Sequence, residues 1–169
     1  MAREIGSIIR EFRKTDLLPL KSLIHRTITA CYPGHYGPEA VRFFVGYHNE
    51  RAILGDAEQG RTVIVDKAGR VLGTGTLVGD EIKRVFVDPA FQKQGFGRLV
   101  MQQLEETAAR QRVNLVKLDA SLPSKPFYDG LGYVTIAAAF LHVENGQRLD
   151  FFKMQKTLQS LEWNERCMA

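Results

Sequence analysis

The chain has 169 residues, of which 44% are hydrophobic, and a formal net charge of +4. This length and apolar content suit one compact domain that builds its core without disulfides or structural metals. The two cysteines, Cys31 and Cys167, are too far apart to form a disulfide framework or a metal-binding spacing. No apolar run is long enough to cross a bilayer, no signal-peptide core follows Met1, and the basic residues form no run. We therefore predict a soluble, unprocessed, cytoplasmic protein that binds neither membrane nor nucleic acid.

The N-terminal third of the chain predicts one strand and two helices. Residues 5–12 alternate enough to form a strand. Thr15 or Asp16 can cap a helix that runs toward Ala30. Residues 31–38 are rich in turn formers and predict a loop, after which a second helix is expected over residues 39–49.

The middle of the chain predicts strands and then an amphipathic helix. Residues 62–66 and 71–78 form a hairpin, and a turn at residues 79–80 leads into a strand over residues 82–87. The next helix begins near Gly95 and carries apolar residues at three- and four-residue spacings. A strand over residues 113–120 follows it, and this strand-helix-strand order implies parallel neighbours.

The C-terminal part of the chain predicts a short helix and a long hairpin. The helix covers residues 124–131 and ends at Gly132 in a left-handed conformation. The hairpin joins residues 133–143 to residues 149–156 through Asn145-Gly146.

The most informative segment is Gln92-Lys93-Gln94-Gly95-Phe96-Gly97, which lies between a strand and a helix. The first N–H groups of a helix have no intrahelical partner, and the macrodipole there is positive, so this junction can surround a phosphate. Glycine lets the backbone approach such a ligand closely. The segment matches neither the P-loop of nucleotide hydrolases nor the dinucleotide-binding fingerprint.

The segment resembles the Q/R-x-x-G-x-G/A signature of the GNAT superfamily of acetyl-CoA-dependent N-acetyltransferases. The resemblance extends over residues 81–89 and Arg98-Leu99-Val100, and resumes at Phe127-Tyr128-Asp129-Gly130-Leu131-Gly132-Tyr133, which is similar to the family's "FYeklGF" segment. It implies an α/β (α+β) GNAT fold: a central, mixed, mostly antiparallel twisted sheet of six to seven strands flanked by about four helices. We expect one domain over residues 1–169. Within it, residues 1–58 would form the acceptor side, 59–157 the coenzyme-binding core and C-terminal hairpin, and 158–169 a tail.

The resemblance also implies which residues bind acetyl-CoA. Backbone N–H groups of the loop and first helical turn would hold the pyrophosphate, the Gln92 side chain would brace the turn, and the preceding strand would pair with the pantetheine arm. A serine, Ser121, replaces an asparagine that many relatives carry near the pantetheine, and Ser124 lies close to it. The predicted coenzyme-binding residues are Phe86, Val87, Gln92, Gln94, Gly95, Phe96, Gly97, Arg98, Ser121 and Ser124.

Two residues are predicted to be catalytic. Tyr128 matches the family's tyrosine that protonates the departing thiolate. Glu81, at the start of the strand before the loop, is the predicted base that takes the proton of the acceptor ammonium, because a family glutamate on this strand often does so. Strict alternation would place Glu81 on the same face as Val85 and Val87, but a bulge, common on this strand in the family, would shift that register.

The acceptor is the least constrained part of the prediction. By resemblance, residues 31–38 would roof its site, with His35 or Tyr36 in contact with the acceptor or serving as an alternative base. His25, His48 and His142 have no partners at metal-ligand spacing, so no metal is predicted. We expect a small-molecule amine as acceptor. The alternatives are a protein acetyltransferase that acts on an N-terminal or lysine amine, and a non-catalytic acyl-CoA sensor. Monomer and homodimer stay open, as does a packing role for Trp163.

Overall fold

A computed structural model describes residues 6–159 and contains seven strands in one sheet, with five α-helices around it. The strands are β1 (Ile8–Glu11), β2 (Arg61–Lys67), β3 (Arg70–Val78), β4 (Glu81–Val87), β5 (Leu115–Ser121), β6 (Val134–His142) and β7 (Arg148–Thr157). The helices are α1 (Leu17–Cys31), α2 (Pro38–Tyr47), α3 (Glu50–Gln59), α4 (Phe96–Arg110) and α5 (Lys125–Gly130). The strand order is β1-β2-β3-β4-β5-β7-β6, and every neighbouring pair is antiparallel except β4 and β5. The predicted mixed, mostly antiparallel sheet of six to seven strands is confirmed.

The sheet separates two hydrophobic clusters. One contains Val100, Met101 and Leu104 of α4, packed on the sheet. The other contains Leu20, Ile24 and Ile28 of α1, together with residues of α2 and α3. Strands β2 and β3 therefore carry buried residues on both faces, whereas β4 contributes Ile82 to the first cluster and, beyond its bulge, Phe86 to the second.

The helix count differs from the expectation of about four, because the segment after α2 forms a separate helix. The chain leaves α2 at His48, and Asn49 begins α3 by accepting a hydrogen bond from the Ala52 N–H at 3.0 Å. An asparagine at this position is a strong helix-start signal. The predicted helix over residues 39–49 therefore ends two residues early.

Asp16 stands at the N-cap of α1, but its side chain makes no cap hydrogen bond, so the predicted capping role is wrong. Its two carboxylate oxygens instead accept bonds from Arg10 at 2.8 and 2.9 Å. Arg10 also binds Asp66 of β2, which ties the edge strand β1 to its neighbour and to α1. The paired guanidinium holds the pKa of Asp16 below its usual value against the opposing effect of burial.

Two irregularities in β4 shape the centre of the molecule. The β3–β4 register passes from Thr76–Lys83 to Thr74–Phe86, which is a bulge, and Arg84 has a left-handed φ of 55°. The predicted bulge is thus confirmed. The parallel partner β5 meets β4 only at the Glu81–Lys117 register, beside a Lys117 N–H bond to the Asp80 carbonyl. Beyond that point the two strands are not paired, and the space between them belongs to the site.

In the part of the chain that the structure describes, no helix is long and apolar enough to span a membrane. Trp163, Cys167 and most of the predicted tail lie outside the described residues.

Candidate functional site

The first feature of the site is a groove of about 480 Å³ at the start of α4, which we call the loop groove. Gly95 precedes the helix with a φ of 90°, which a residue with a Cβ rarely adopts. The first intrahelical bond runs from the Leu99 N–H to the Gly95 carbonyl. The N–H groups of Phe96, Gly97 and Arg98 therefore have no intrahelical partner and suit an anionic group.

The strand and the loop are fastened to each other beside this groove. The Gln92 side-chain amide donates to the Val87 carbonyl at 3.1 Å and contacts the Cys31 sulfur at 3.7 Å. Gly97 faces the ring of Phe127, and a Cβ there would lie 3.1 Å from the ring. The absence of a side chain at Gly97 thus lets the first turn of α4 and the ring of α5 approach closely.

Most of the residues predicted to bind the coenzyme line the loop groove. They are Phe86, Val87, Gln92, Gly95, Phe96, Gly97, Arg98 and Ser124. Gln94 is exposed on the loop and is not part of the lining. Ser121 lies in the wall of a neighbouring cavity instead, where its hydroxyl meets that of Ser124 at 2.5 Å.

That neighbouring space, which we call the inner cavity, has a volume of about 200 Å³ and lies between α2, β4, β5 and the β6–β7 hairpin. Glu81, Lys83 and Arg84 line it from β4, and Asp119 from β5. Aromatic side chains make up much of the remaining wall.

The inner cavity and the loop groove adjoin, because they share five lining residues. These residues are Tyr32, Val85, Phe86, Ser124 and Tyr128. Two ligands, one in each space, would meet at this shared wall.

Tyr128, the predicted catalytic tyrosine, is a titratable residue of that shared wall. Its side chain is buried, and burial raises the pKa of its phenol above the ordinary value near 10. It packs edge-on against Phe127 and Tyr133, at centroid distances of 5.1 and 5.8 Å. The phenol therefore stays protonated at neutral pH and can donate a hydrogen bond at the junction.

Glu81 lines the inner cavity at the point where β4 and β5 part. Its side chain is half exposed, and its carboxylate lies 3.6 Å from the Lys83 ammonium. The structure thus brings Glu81 and Tyr128 to the same cavity, from different elements of the fold.

A buried ionic cluster beside Glu81 was not predicted. The guanidinium of Arg84, whose side chain is only 4% exposed, binds the Asp56 carboxylate at 3.0 and 2.7 Å. The third guanidinium nitrogen contacts the Nδ1 atom of His48. These residues come from β4, α3 and the segment between α2 and α3, so no single sequence motif contains them.

His48 is neutral in this cluster. Burial, followed by the positive charge of Arg84, lowers the pKa of His48 to about 3. Because Nδ1 accepts from Arg84, the ring proton sits on Nε2. His48 is therefore a hydrogen-bond donor at neutral pH and a poor base, even though it lines the inner cavity.

The predicted acceptor contacts in the loop after α1 need correction. His35 is exposed and lines neither space. Tyr36 is buried, and its hydroxyl donates to the Asp150 carbonyl and accepts from the Leu122 N–H, both at 2.8 Å. It fastens the loop to the C-terminal hairpin. Tyr32, from the same segment, is the residue that reaches the shared wall.

Within residues 6–159, no group of three or more His, Cys, Asp or Glu side chains is placed to hold a metal ion. The site offers backbone N–H groups without intrahelical partners in the loop groove, a protonated phenol at the junction, and the carboxylates of Glu81 and Asp119 in the inner cavity.

Comparisons with known proteins found a matching family model and solved structures of similar fold. The family model of the acetyltransferase (GNAT) domain matches residues 33–158. A GCN5-related N-acetyltransferase from Rhodopseudomonas palustris has a TM-score of 0.83 and 21% identity, over 94% of this chain and 99% of that one. The ribosomal-protein-S18-alanine N-acetyltransferase from Escherichia coli has a TM-score of 0.69 and 18% identity, over 94% and 98% of the two chains.

Two further relatives are informative. The protein YncA from Salmonella typhimurium, solved with its cofactor acetyl-CoA, has a TM-score of 0.64 and 19% identity, over 91% of this chain and 95% of that one. The uncharacterized protein YdhI from Bacillus subtilis is 24% identical over 138 residues, which cover 79% of this chain and 82% of that protein. At these identities the solved structures support the fold.

Proposed function

The chain belongs to the GNAT acetyltransferase family, and we propose that it transfers the acetyl group of acetyl-CoA to a primary amine of a small molecule by direct attack in a ternary complex. The observation that carries this proposal is the pair of adjoining spaces with Tyr128 in their shared wall. The loop groove would hold the coenzyme, and the inner cavity the acceptor. Their junction is where a thioester and an amine would meet.

The residues of the loop groove suit the coenzyme. The free N–H groups at the start of α4 would hold the pyrophosphate, and the lack of a side chain at Gly97 keeps the groove open beside Phe127. Phe86 and Val87 of β4 line the path from the loop toward the junction. The unpaired stretch between β4 and β5 leaves room for an extended arm.

The acceptor must lose a proton before it attacks, because an alkylamine with a pKa near 10 is mostly ammonium at neutral pH. Glu81 would accept that proton, directly or through a water molecule, since it is a carboxylate of the inner cavity and His48 is a poor base. The neutral nitrogen then forms a bond to the thioester carbon, and the carbon–sulfur bond breaks. The products are an amide, the free thiol of coenzyme A and one proton.

Tyr128 would stabilise the departing thiolate by donating its phenolic hydrogen bond. Full proton transfer from a phenol to a thiolate is uphill, because the ordinary pKa values are near 10 and 8.5 and burial raises the pKa of Tyr128 further. Proximity of the Tyr128 hydroxyl to the departing sulfur at the junction makes the donation effective. If Tyr128 transferred its proton fully, the phenolate would be reprotonated at once.

The test replaces Tyr128 and, as a matched control, Tyr133 by phenylalanine. Tyr133 is also a buried tyrosine, but it lines neither space and its hydroxyl binds Glu105. Calorimetric titration with acetyl-CoA and thiol release with a panel of amines and peptides are measured for each protein. We expect Y128F to lose about 10²-fold in kcat with near wild-type acetyl-CoA affinity, and Y133F to keep its turnover.

Three results would contradict the proposal in different ways. Unchanged turnover in Y128F would remove Tyr128 from the mechanism. Binding of acetyl-CoA without thiol release on any acceptor would indicate an acyl-CoA sensor. Release with peptides alone would indicate a protein acetyltransferase.

A further inference from the structure

The wall of the inner cavity identifies the kind of amine that it would accept. Seven aromatic side chains line it: Tyr32, Phe43, Phe44, Tyr47, Phe86, Tyr128 and Phe151. Flat apolar groups stack on such rings, and an ammonium is attracted to their faces. The composition of the wall therefore favours a ligand that has an aromatic body.

The rings form a continuous path from the surface to the junction. Phe43 and Tyr47 of α2 lie nearly parallel, with centroids 6.2 Å apart and an angle of 16° between their planes. Tyr47 meets the ring of His48 edge-on at 5.1 Å, and His48 meets Phe86 edge-on at 5.2 Å. Phe86 belongs to the wall shared with the loop groove.

The aromatic residues at the outer end of this path are unusually exposed. Phe43 is 38% and Tyr47 52% exposed, and Leu141 of β6, 45% exposed, lies in the same wall. A ligand seated there would cover apolar surface that the fold leaves in water. Exposed apolar surface at the mouth of a cavity is typical of a binding site.

The charges of the inner cavity argue against the other acceptor classes. Arg84 is paired with Asp56, Lys83 lies near both Asp56 and Glu81, and Asp119 is paired with Lys153. Among the described residues, the wall carries no surplus of carboxylates for a polycationic amine and no unpaired buried cation for the carboxylate of an amino acid. A volume of about 200 Å³ is also small for a peptide segment.

We infer that the acceptor is an arylalkylamine, a primary amine joined through a short chain to an aromatic ring, with the ring held by Phe43 and Tyr47 and the amine directed to the junction. This inference rests on the proposed function. The acceptor nitrogen becomes an amide nitrogen, the thiol leaves, and one proton is released from the ammonium.

The experiment compares thiol release from acetyl-CoA with four kinds of amine: phenethylamine and tryptamine, spermidine, phenylalanine, and a short peptide with a free N-terminus. We expect kcat/KM to be at least about tenfold higher for the two arylalkylamines than for the others. Phenylalanine is the sharpest comparison, because it differs from phenethylamine only by its carboxylate.

The variants F43A and Y47A test the ring path, and F140A is the matched control. Phe140 of β6 is 45% exposed but lines neither space. F43A and Y47A should each raise KM for phenethylamine by about tenfold or more, because a ring contact is lost, with unchanged acetyl-CoA affinity. F140A should match the wild-type protein.

The outcomes separate this inference from the proposed function. Preference for spermidine, phenylalanine or the peptide, or equal behaviour of F43A and F140A, overturns the inference while leaving an acetyltransferase. If no amine is acetylated, the proposed function fails, and calorimetry of phenethylamine with the complex of protein and coenzyme A decides the inference. If phenethylamine binds and the F43A substitution abolishes that binding, the inference is supported. If phenethylamine does not bind, the inference is overturned.

Discussion

The protein should lose stability as the pH falls below neutral, because His48 is neutral and buried in the native state. Its pKa is lowered from 6.5 to about 3, first by burial and then by the charge of Arg84. The variant H48N removes this titration. The asparagine oxygen can take the place of Nδ1 as the acceptor for Arg84, so the cluster keeps its hydrogen bond.

The direction and size of the effect follow from proton linkage. Below pH 6.5 the unfolded chain binds a proton on His48, whereas the native protein does not do so until about pH 3. The stability from neutral His48 is therefore full above pH 6.5 and declines by about 1.4 kcal/mol per pH unit below it. Between about pH 7 and pH 5 the loss is about 2 kcal/mol, or roughly 4–8 °C in Tm for a chain of this size.

The assay is urea unfolding of wild-type, H48N and H35N proteins across this pH range. Aspartates such as Asp16 and Asp88, whose pKa values are lowered in the fold, affect stability at lower pH, since their unfolded pKa is 3.8. We expect H48N to flatten the pH dependence by about 2 kcal/mol and the exposed His35 variant to retain the wild-type slope. Equal slopes in wild-type and H48N proteins would refute a neutral His48.

Two further predictions test the neighbouring parts of the site. G97V should lower acetyl-CoA affinity by at least about tenfold, because its Cβ would meet the Phe127 ring at 3.1 Å and fill the loop groove. G46V, which has open space at its Cβ, should bind normally, and calorimetry that shows wild-type affinity in folded G97V would contradict the loop assignment. D56A should cost about 3 kcal/mol in urea unfolding, because the buried Arg84 guanidinium loses its counter-ion. D150A removes the exposed pair with Arg148 and should cost under about 1 kcal/mol. Equal losses of stability in D56A and D150A would show that the buried Arg84–Asp56 pair contributes no more than an exposed pair.

Local sequence signals predicted the elements whose geometry is decided locally. The β2–β3 hairpin turns through Ala68 and Gly69, both with positive φ, and the last hairpin turns through Asn145 and Gly146 in the same way. Such turns depend on a few adjacent residues, so they can be read directly from the chain. The start of α4 at Gly95 is predictable for the same reason.

The inner cavity could not be predicted in this way, because its wall is assembled from distant segments. Arg84 and Asp56 are 28 residues apart, and Arg84 and His48 are 36 apart. The hydroxyl of Tyr36 is bound to backbone groups 114 and 86 residues away. Tyr36, which was predicted to contact the acceptor, therefore has a structural role instead. No periodicity or spacing encodes such contacts, and only the packing of α1, α2 and α3 on the sheet creates them.

Arg84 connects the wall of the inner cavity to the backbone bulge of β4. Its left-handed φ of 55° costs about 1–2 kcal/mol in a residue with a Cβ, and the bonds from its guanidinium to Asp56 can offset that cost. The backbone conformation that shapes β4 next to Val85 and Phe86 is thus held by a side chain of the inner cavity. Loss of Asp56 should therefore disturb both the β4 backbone beside the loop groove and the position of His48 in the wall of the inner cavity. A change confined to acceptor KM in D56A would show that the bulge holds its shape without this clamp.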